Sequence, residues 1–264
     1  MQLDLLGAVG EAEGTAGAEV LLERVRTLRR MYLAGRLGGE VMPEDAAPRL
    51  PSDSIELYHY FTLGMALNYQ RNSYSLWAAA TATYNDSATR WVFRPQAVAD
   101  ATEEDLRGAL LRYRLALQPV KHIGTWRAIA QTLAVHFRGD VRVVLETAEN
   151  DVIQIADLVQ VQFKDGFPYL KGQKIFHYWL HVLEQYTATA LKNRAAISVA
   201  PDTHVVQSSL RLGLVPPTNR GDSTIQKRVA EEWQRLLNGT ELVPIDVHTP
   251  LWLWSRAGFP PLEA

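Results

Sequence analysis

Between Phe167 and Leu214 the chain sets a glycine turn, two lysines and a carboxylate in an order that suits chemistry on a phosphate-bearing molecule. The run FPYLKGQKIFHYWL reads as a tight turn entering a helix, with Gly172 and Gln173 where the helix should begin. Backbone N–H groups at a helix start have no intrahelical acceptor, so those of Gly172 and Gln173 suit a phosphate. Lys171 and Lys174 flank them. Further on, ISVAPDTHVVQSSLRLGL places Asp202 where a new helix should start, and a carboxylate there, with lysines nearby, can act on what the phosphate carries. Two acid and imidazole pairs, Asp202-x-His204 and Asp246-x-His248, would have to converge to hold an ion. Their spacing is common by chance and neither is the i, i+4 histidine pair that a helix presents to zinc, so no metal is expected. His177 and His181 lie one turn apart, where capping or packing accounts for them.

The elements that must position these groups are read from periodicity. Val20 to Leu33 repeats apolar residues every three to four positions, and a Gly/Pro-rich stretch from Gly35 to Asp53 stops it. Further helices are expected from Ser54 to Gln70, Ser73 to Tyr84, Thr102 to Tyr113, Val120 to Phe137, Thr203 to Leu212, Ser223 to Leu237 and His248 to Ala257. Ser54 and Thr102 stand at N-cap positions, and three acids after Thr102 complement the helix dipole. Only VRVVL and LVPIDV look strand-like, so the expected class is all-α.

Composition sets the outer bounds. A chain of 264 residues, 47% hydrophobic, has enough apolar side chains for one large or two modest cores. The first twenty residues are acidic and Gly/Ala-rich and lack the basic start and apolar run of a secretory signal. No apolar run approaches the roughly 20 residues that span a bilayer, so a cytoplasmic protein without a membrane partner is expected. With no cysteine, thiolate nucleophiles, disulfides, Cys-ligated zinc and Cys-ligated iron–sulfur clusters are excluded. The net charge is −2 but unevenly spread: residues 1–57 hold six Arg against ten acids, whereas residues 160–230 hold nine Lys/Arg against four acids. The basic excess surrounds the glycine turn.

Those same residues carry a resemblance. Phe167 to Leu180, followed by Ala200-Pro201-Asp202-Thr203-His204-Val205 and Leu210-Arg211-Leu212-Gly213-Leu214, resembles the helix-hairpin-helix superfamily of DNA glycosylases, which includes endonuclease III, the adenine glycosylase and the 8-oxoguanine glycosylases. In that family the hairpin is commonly L-P-G-V-G-x-K and a later V-D-x-H segment carries an essential aspartate at a helix N-terminus. Phe167-Pro168-Tyr169-Leu170 matches the first half, and Gly172-Gln173-Lys174 matches G-x-K with Lys171 as an inserted residue. Pro244 to Trp252 stands where several relatives place an iron–sulfur loop, a cluster that a chain without cysteine does not carry.

The resemblance implies a two-lobed fold with a cleft: residues 1–53 as an N-terminal helix and linker packing on the C-terminal lobe, 54–190 as a helical barrel containing the hairpin, and 191–264 as the C-terminal lobe. It implies a monomeric DNA repair enzyme that needs no cofactor and acts on damaged double-stranded DNA. Asp202 would stabilise the oxocarbenium-like sugar and orient the nucleophile. Lys174, or Lys171 beside it, would supply an amine for Schiff-base formation and strand cleavage if desolvation lowered its pKa. Gly172 and Gln173 would grip a phosphate, and Tyr178, Trp179, Trp252 and Trp254 are the available lining for an extruded base. Each has an ordinary alternative: an Asp at a helix start is usually an N-cap, lysines are usually surface groups, and Trp252 and Trp254 read as core by their apolar neighbours. Two other functions remain open, an N-glycosidase acting on a modified nucleoside or nucleotide, as queuosine salvage hydrolases do, and a binding protein that keeps the phosphate grip without the chemistry.

Overall fold

The computed structural model describes residues 4–37, 42–217 and 222–263, with side chains from Gly17 onward. Among the described residues it contains twelve α-helices and no strand, the one β-type pairing being an isolated bridge between Asp151 and Lys192. The chain is all-α. It divides into two compact units, one formed by Met1–Glu40 with Ser198–Ala264 and the other by Val41–Ile197.

In the first unit a long helix, α1 (Asp4–Leu33), precedes the whole of the second unit in the chain. The second unit holds α2 (Ile55–Met65), α3 (Ser73–Asn85), α4 (Pro95–Asp100), α5 (Glu103–Arg112), α6 (Pro119–His136), α7 (Val141–Thr147), α8 (Val152–Ala156) and α9 (Gln173–Tyr186). The chain then returns to the first unit for α10 (Thr203–Leu212), α11 (Ile225–Leu237) and α12 (His248–Arg256), against which α1 packs.

Short polar side chains start many of these helices. Thr102 accepts from the Asp105 N–H at 3.1 Å, Asn72 from Ser75 at 3.0 Å and Asp151 from Ile153 at 2.8 Å, satisfying donors that helix geometry leaves over. Capping also decides the two strand-like runs. Asp140 accepts from the Arg142 N–H at 2.8 Å and holds the Arg142 guanidinium at 2.7 Å, so VRVVL is fixed as α7 despite its β-branched residues. In LVPIDV, Pro244–Val247 forms one 3₁₀ turn, closed by Asp246 accepting from Val243 N–H at 3.2 Å.

The core of the second unit is aromatic. Tyr60 stacks on Phe93 with centroids 5.3 Å apart, Phe61 meets Trp77 edge-on, and Phe93 meets Trp126, whose indole donates to the Val92 carbonyl at 2.8 Å. Gly64 makes room for this cluster, because a Cβ there would lie 2.7 Å from the Trp77 ring. The helical hairpin is built on the same unit. α8 continues into a π-turn over Asp157–Gln162, the chain reverses through 163–172, and α9 follows, so the helix of FPYLKGQKIFHYWL begins at Gln173 with Gly172 as its N-cap.

A Cβ at Gly166 would lie 2.2 Å from Thr132 Oγ1 and 2.9 Å from its Cβ, an overlap that side-chain rotation does not remove. Gly166→Ala should therefore destabilise the protein by roughly 1–3 kcal/mol, with part recovered in Gly166→Ala/Thr132→Ala, as measured by urea unfolding.

Candidate functional site

Asp202 occupies the N-cap of α10 with extended backbone, and both of its oxygens are engaged. Oδ1 accepts from the Val205 N–H at 2.9 Å and Oδ2 from the Trp252 indole N–H at 3.1 Å. The carboxylate is half-buried and fixed between two helices of one unit. Trp252 can reach it because α10 and α12 approach closely over small side chains. Ser208 and Ser209 are fully buried; Ser208 donates to the Leu251 carbonyl at 2.7 Å, and Ser209 accepts from the Trp233 indole at 2.9 Å. The chain before Asp202 is also tied, by the Ala200 N–H donating to His248 Nδ1 at 3.4 Å.

Around the carboxylate lie further polar groups of the same unit. His204 meets the Trp252 ring edge-on at 5.4 Å and hydrogen-bonds Ser255 Oγ at 3.0 Å through Nδ1; Ser255 in turn donates to Gln207 at 3.2 Å. The Arg256 guanidinium lies over the Trp252 ring at 5.4 Å. A carboxylate has about four acceptor positions, so two N–H partners leave it able to face a developing cation or to hold a water. Asp246 caps its own turn and His248 serves the Ala200 N–H, while among the described residues no three His, Asp or Glu side chains group as metal ligands.

In the hairpin, the Gly172 N–H already donates to the Tyr169 carbonyl at 3.0 Å, so it is not available to grip a phosphate as the sequence suggested. The first-turn donors of α9, beginning with Gln173, remain the ones that helix geometry leaves without an intrahelical acceptor. The Gln173 side chain hydrogen-bonds His177 at 3.0 Å, and burial holds the His177 imidazole down at a pKa of about 4. Lys171 and Lys174 are both exposed, and the Lys171 ammonium pairs with Asp165 at 3.3 Å.

The four aromatic candidates separate. Trp179 is fully buried and donates to Thr62 Oγ1 at 2.9 Å, and Trp254 is 3% exposed and donates to the Pro260 carbonyl at 2.8 Å; both are core and have no face left for a base. Trp252 is 9% exposed and serves Asp202. Tyr178 is half-buried and hydrogen-bonds the Glu44 carboxyl.

A third constellation lies in the second unit, where sequence reading placed nothing. A cavity of about 560 Å³ is lined by Gln70, Arg71, Tyr113, Arg114, Leu117 and the small residues of α3, with no acid among its walls. Gln70 and Arg114 both hold positive φ, 51° and 59°, a strained setting for residues with side chains. Arg71 donates to the Leu115 carbonyl at 2.8 Å, its buried Nε has no acceptor, and burial followed by the charge of Arg114 lowers its pKa. The neighbouring His122 is lowered too, by burial and then by Arg71 and Lys121. Among the described residues Arg71, Arg114 and Lys121 form no ion pair. Tyr69, next to Gln70, packs its ring 5.3 Å from Tyr169 of the hairpin reversal, itself at φ 63°, so cavity loops and hairpin adjoin.

No protein-family model matches this chain, and no curated protein matches it. The assignment of function therefore rests on the geometry.

Removing one of the unpaired cations tests whether they serve the fold. Arg114→Gln should leave urea stability unchanged or slightly raised, since it breaks no ion pair and relieves Arg71. Arg71→Gln should lower stability by roughly 1–3 kcal/mol, because the part-buried Leu115 carbonyl loses its donor.

Proposed function

We propose that the chain is a DNA N-glycosylase that hydrolyses the base–sugar bond of a damaged nucleotide, with Asp202 as its catalytic carboxylate. The observation that carries the reading is the double hold on Asp202, by a helix N-terminus and by an indole N–H. Loss of a base builds positive charge on the sugar. A fixed negative group stabilises that charge without reorganising at the moment of reaction, and it can orient the water that completes hydrolysis.

The second unit supports the substrate class. Unpaired cations beside Tyr113, with no acid in the cavity wall, favour a polyanion bearing flat rings, and the α9 start favours a phosphate. Chemistry on a base in a duplex requires that nucleotide to be extruded from the stack. The two-lobed helix-hairpin-helix architecture rests on the same residues and is proposed with the activity. Strand cleavage through Lys171 or Lys174 is not part of the proposal, because both residues are exposed and Lys171 is paired with Asp165.

The test is abasic-site formation in duplex oligonucleotides carrying oxidised, deaminated or alkylated bases. Asp202→Asn keeps the shape and a carbonyl acceptor, so folding should persist while single-turnover base release falls by at least roughly 10²-fold. Full activity in Asp202→Asn refutes the mechanism. Arg114→Gln should flatten the log–log salt dependence of duplex binding by about one unit; release from free nucleosides with no salt dependence would instead select the small-substrate N-glycosidase.

A further inference from the structure

One acidic side chain is buried where the proposed chemistry does not use it. Glu44 lies in the single 3₁₀ turn Pro43–Ala46, ahead of α2, and is 1% exposed. Its Oε1 accepts from the Trp77 indole at 2.8 Å, the Tyr178 hydroxyl also hydrogen-bonds the carboxyl, and among the described residues Oε2 is buried without a hydrogen-bond partner. Asp45, in the same turn, accepts from the Tyr186 hydroxyl at 2.8 Å, and Thr81 donates to the Ala46 carbonyl at 2.6 Å. The turn is thus held on α3 and α9 by side chains, with Glu44 as the inserted group.

Among the described residues, those that act on the Glu44 carboxyl provide no positive charge. Its own turn presents Asp45, of like sign; α9 presents Tyr178; α3 presents the neutral Trp77 indole; and α2 presents Tyr60, whose hydroxyl the Glu44 charge pushes further up. A neutral carboxyl is tolerable there. An ionised one leaves a buried, unpaired oxygen beside a second carboxylate, and the short turn is what can move to relieve it.

We propose that Pro43–Ala46 is a proton-operated latch: it closes on α3 and α9 while the Glu44 carboxyl is neutral and opens when that carboxyl ionises. Opening returns Glu44 to water, bares the Trp77 indole edge and the Tyr178 hydroxyl, and frees the chain ahead of α2. Burial pushes the Glu44 carboxyl up to about 7 in the closed form, against 4.5 for the ordinary group. The closed form therefore binds the proton more tightly. Its advantage is complete below pH 4.5, falls as pH rises towards about 7 and is constant above, so the opening constant climbs by up to tenfold per pH unit within that window.

Hydrogen exchange of the full chain reads this directly, in peptides covering residues 42–50 and corrected for intrinsic exchange. Between pH 5 and pH 8 the opening constant should rise by a factor of tens in the wild type and change less than about twofold in Glu44→Gln. Equal protection at both pH values in the wild type, or the same rise in Glu44→Gln, overturns the latch. Should Glu44→Gln not fold, the Trp77 indole N–H resonance of the wild type decides. It must titrate with a midpoint near 7, and a resonance fixed from pH 5 to pH 8 overturns the proposal.

Discussion

The Asp202 carboxylate is shared between two helices, and much of the unit around it follows from that sharing. One oxygen closes the first turn of α10, the other takes the indole proton of Trp252 from α12. For both bonds to form, α12 must lie close to α10, and the small Ser208, which bonds the Leu251 carbonyl of α12, suits that approach. Buried hydroxyls require partners: Ser208 donates to the Leu251 carbonyl of α12, and Ser209 donates to the Val205 carbonyl of its own helix and accepts from the Trp233 indole of α11. The result is a carboxylate whose position is set by packing, the condition for useful electrostatic stabilisation of a cation.

The second unit departs from an economical fold at three places: positive φ at Gln70, Arg114 and Tyr169, unpaired cations around an acid-free cavity, and a carboxyl inserted among aromatic side chains at Glu44. Strain, like-charge repulsion and desolvation each lower stability, and ordinary replacements would remove them. They are carried by the loops and turn laid over a large aromatic core. The hairpin and the cavity adjoin through Tyr69 and Tyr169, so one end of this unit brings together a helix start and the cations that suit a phosphate chain.

Much of the fold was legible in the chain. Helical periodicity located α3, α6, α10, α11 and α12 closely and carried α2 past its end at Met65 to Gln70, and Thr102 and Asp202 cap helices as their types and positions suggested. VRVVLETA reads as a short helix although its β-branched run looks strand-like, and what settles α7 is the Asp140 cap with its hold on Arg142. α4, a short helix opened by Pro95, went unread for want of a full period. The tryptophans show the limit for the site: Trp179, Trp252 and Trp254 differ by where each indole proton goes, to Thr62, Asp202 and Pro260, and spacing does not encode that. Arg71 and Arg114 are 43 positions apart in the chain, with only Gln-Arg-Asn and Tyr-Arg as local signals.

The central claim is that Asp202 acts in the position its indole partner holds it in, and a double-mutant cycle on base release measures this most directly. Single-turnover rates would be compared for the wild type, Asp202→Asn, Trp252→Phe and the double variant. The account predicts that Trp252→Phe slows release in the wild-type background and has little further effect once Asp202 is changed, a coupling well above the ~0.3–0.5 kcal/mol scatter of independent sites. Effects that add, or a Trp252→Phe variant as fast as the wild type, would contradict it.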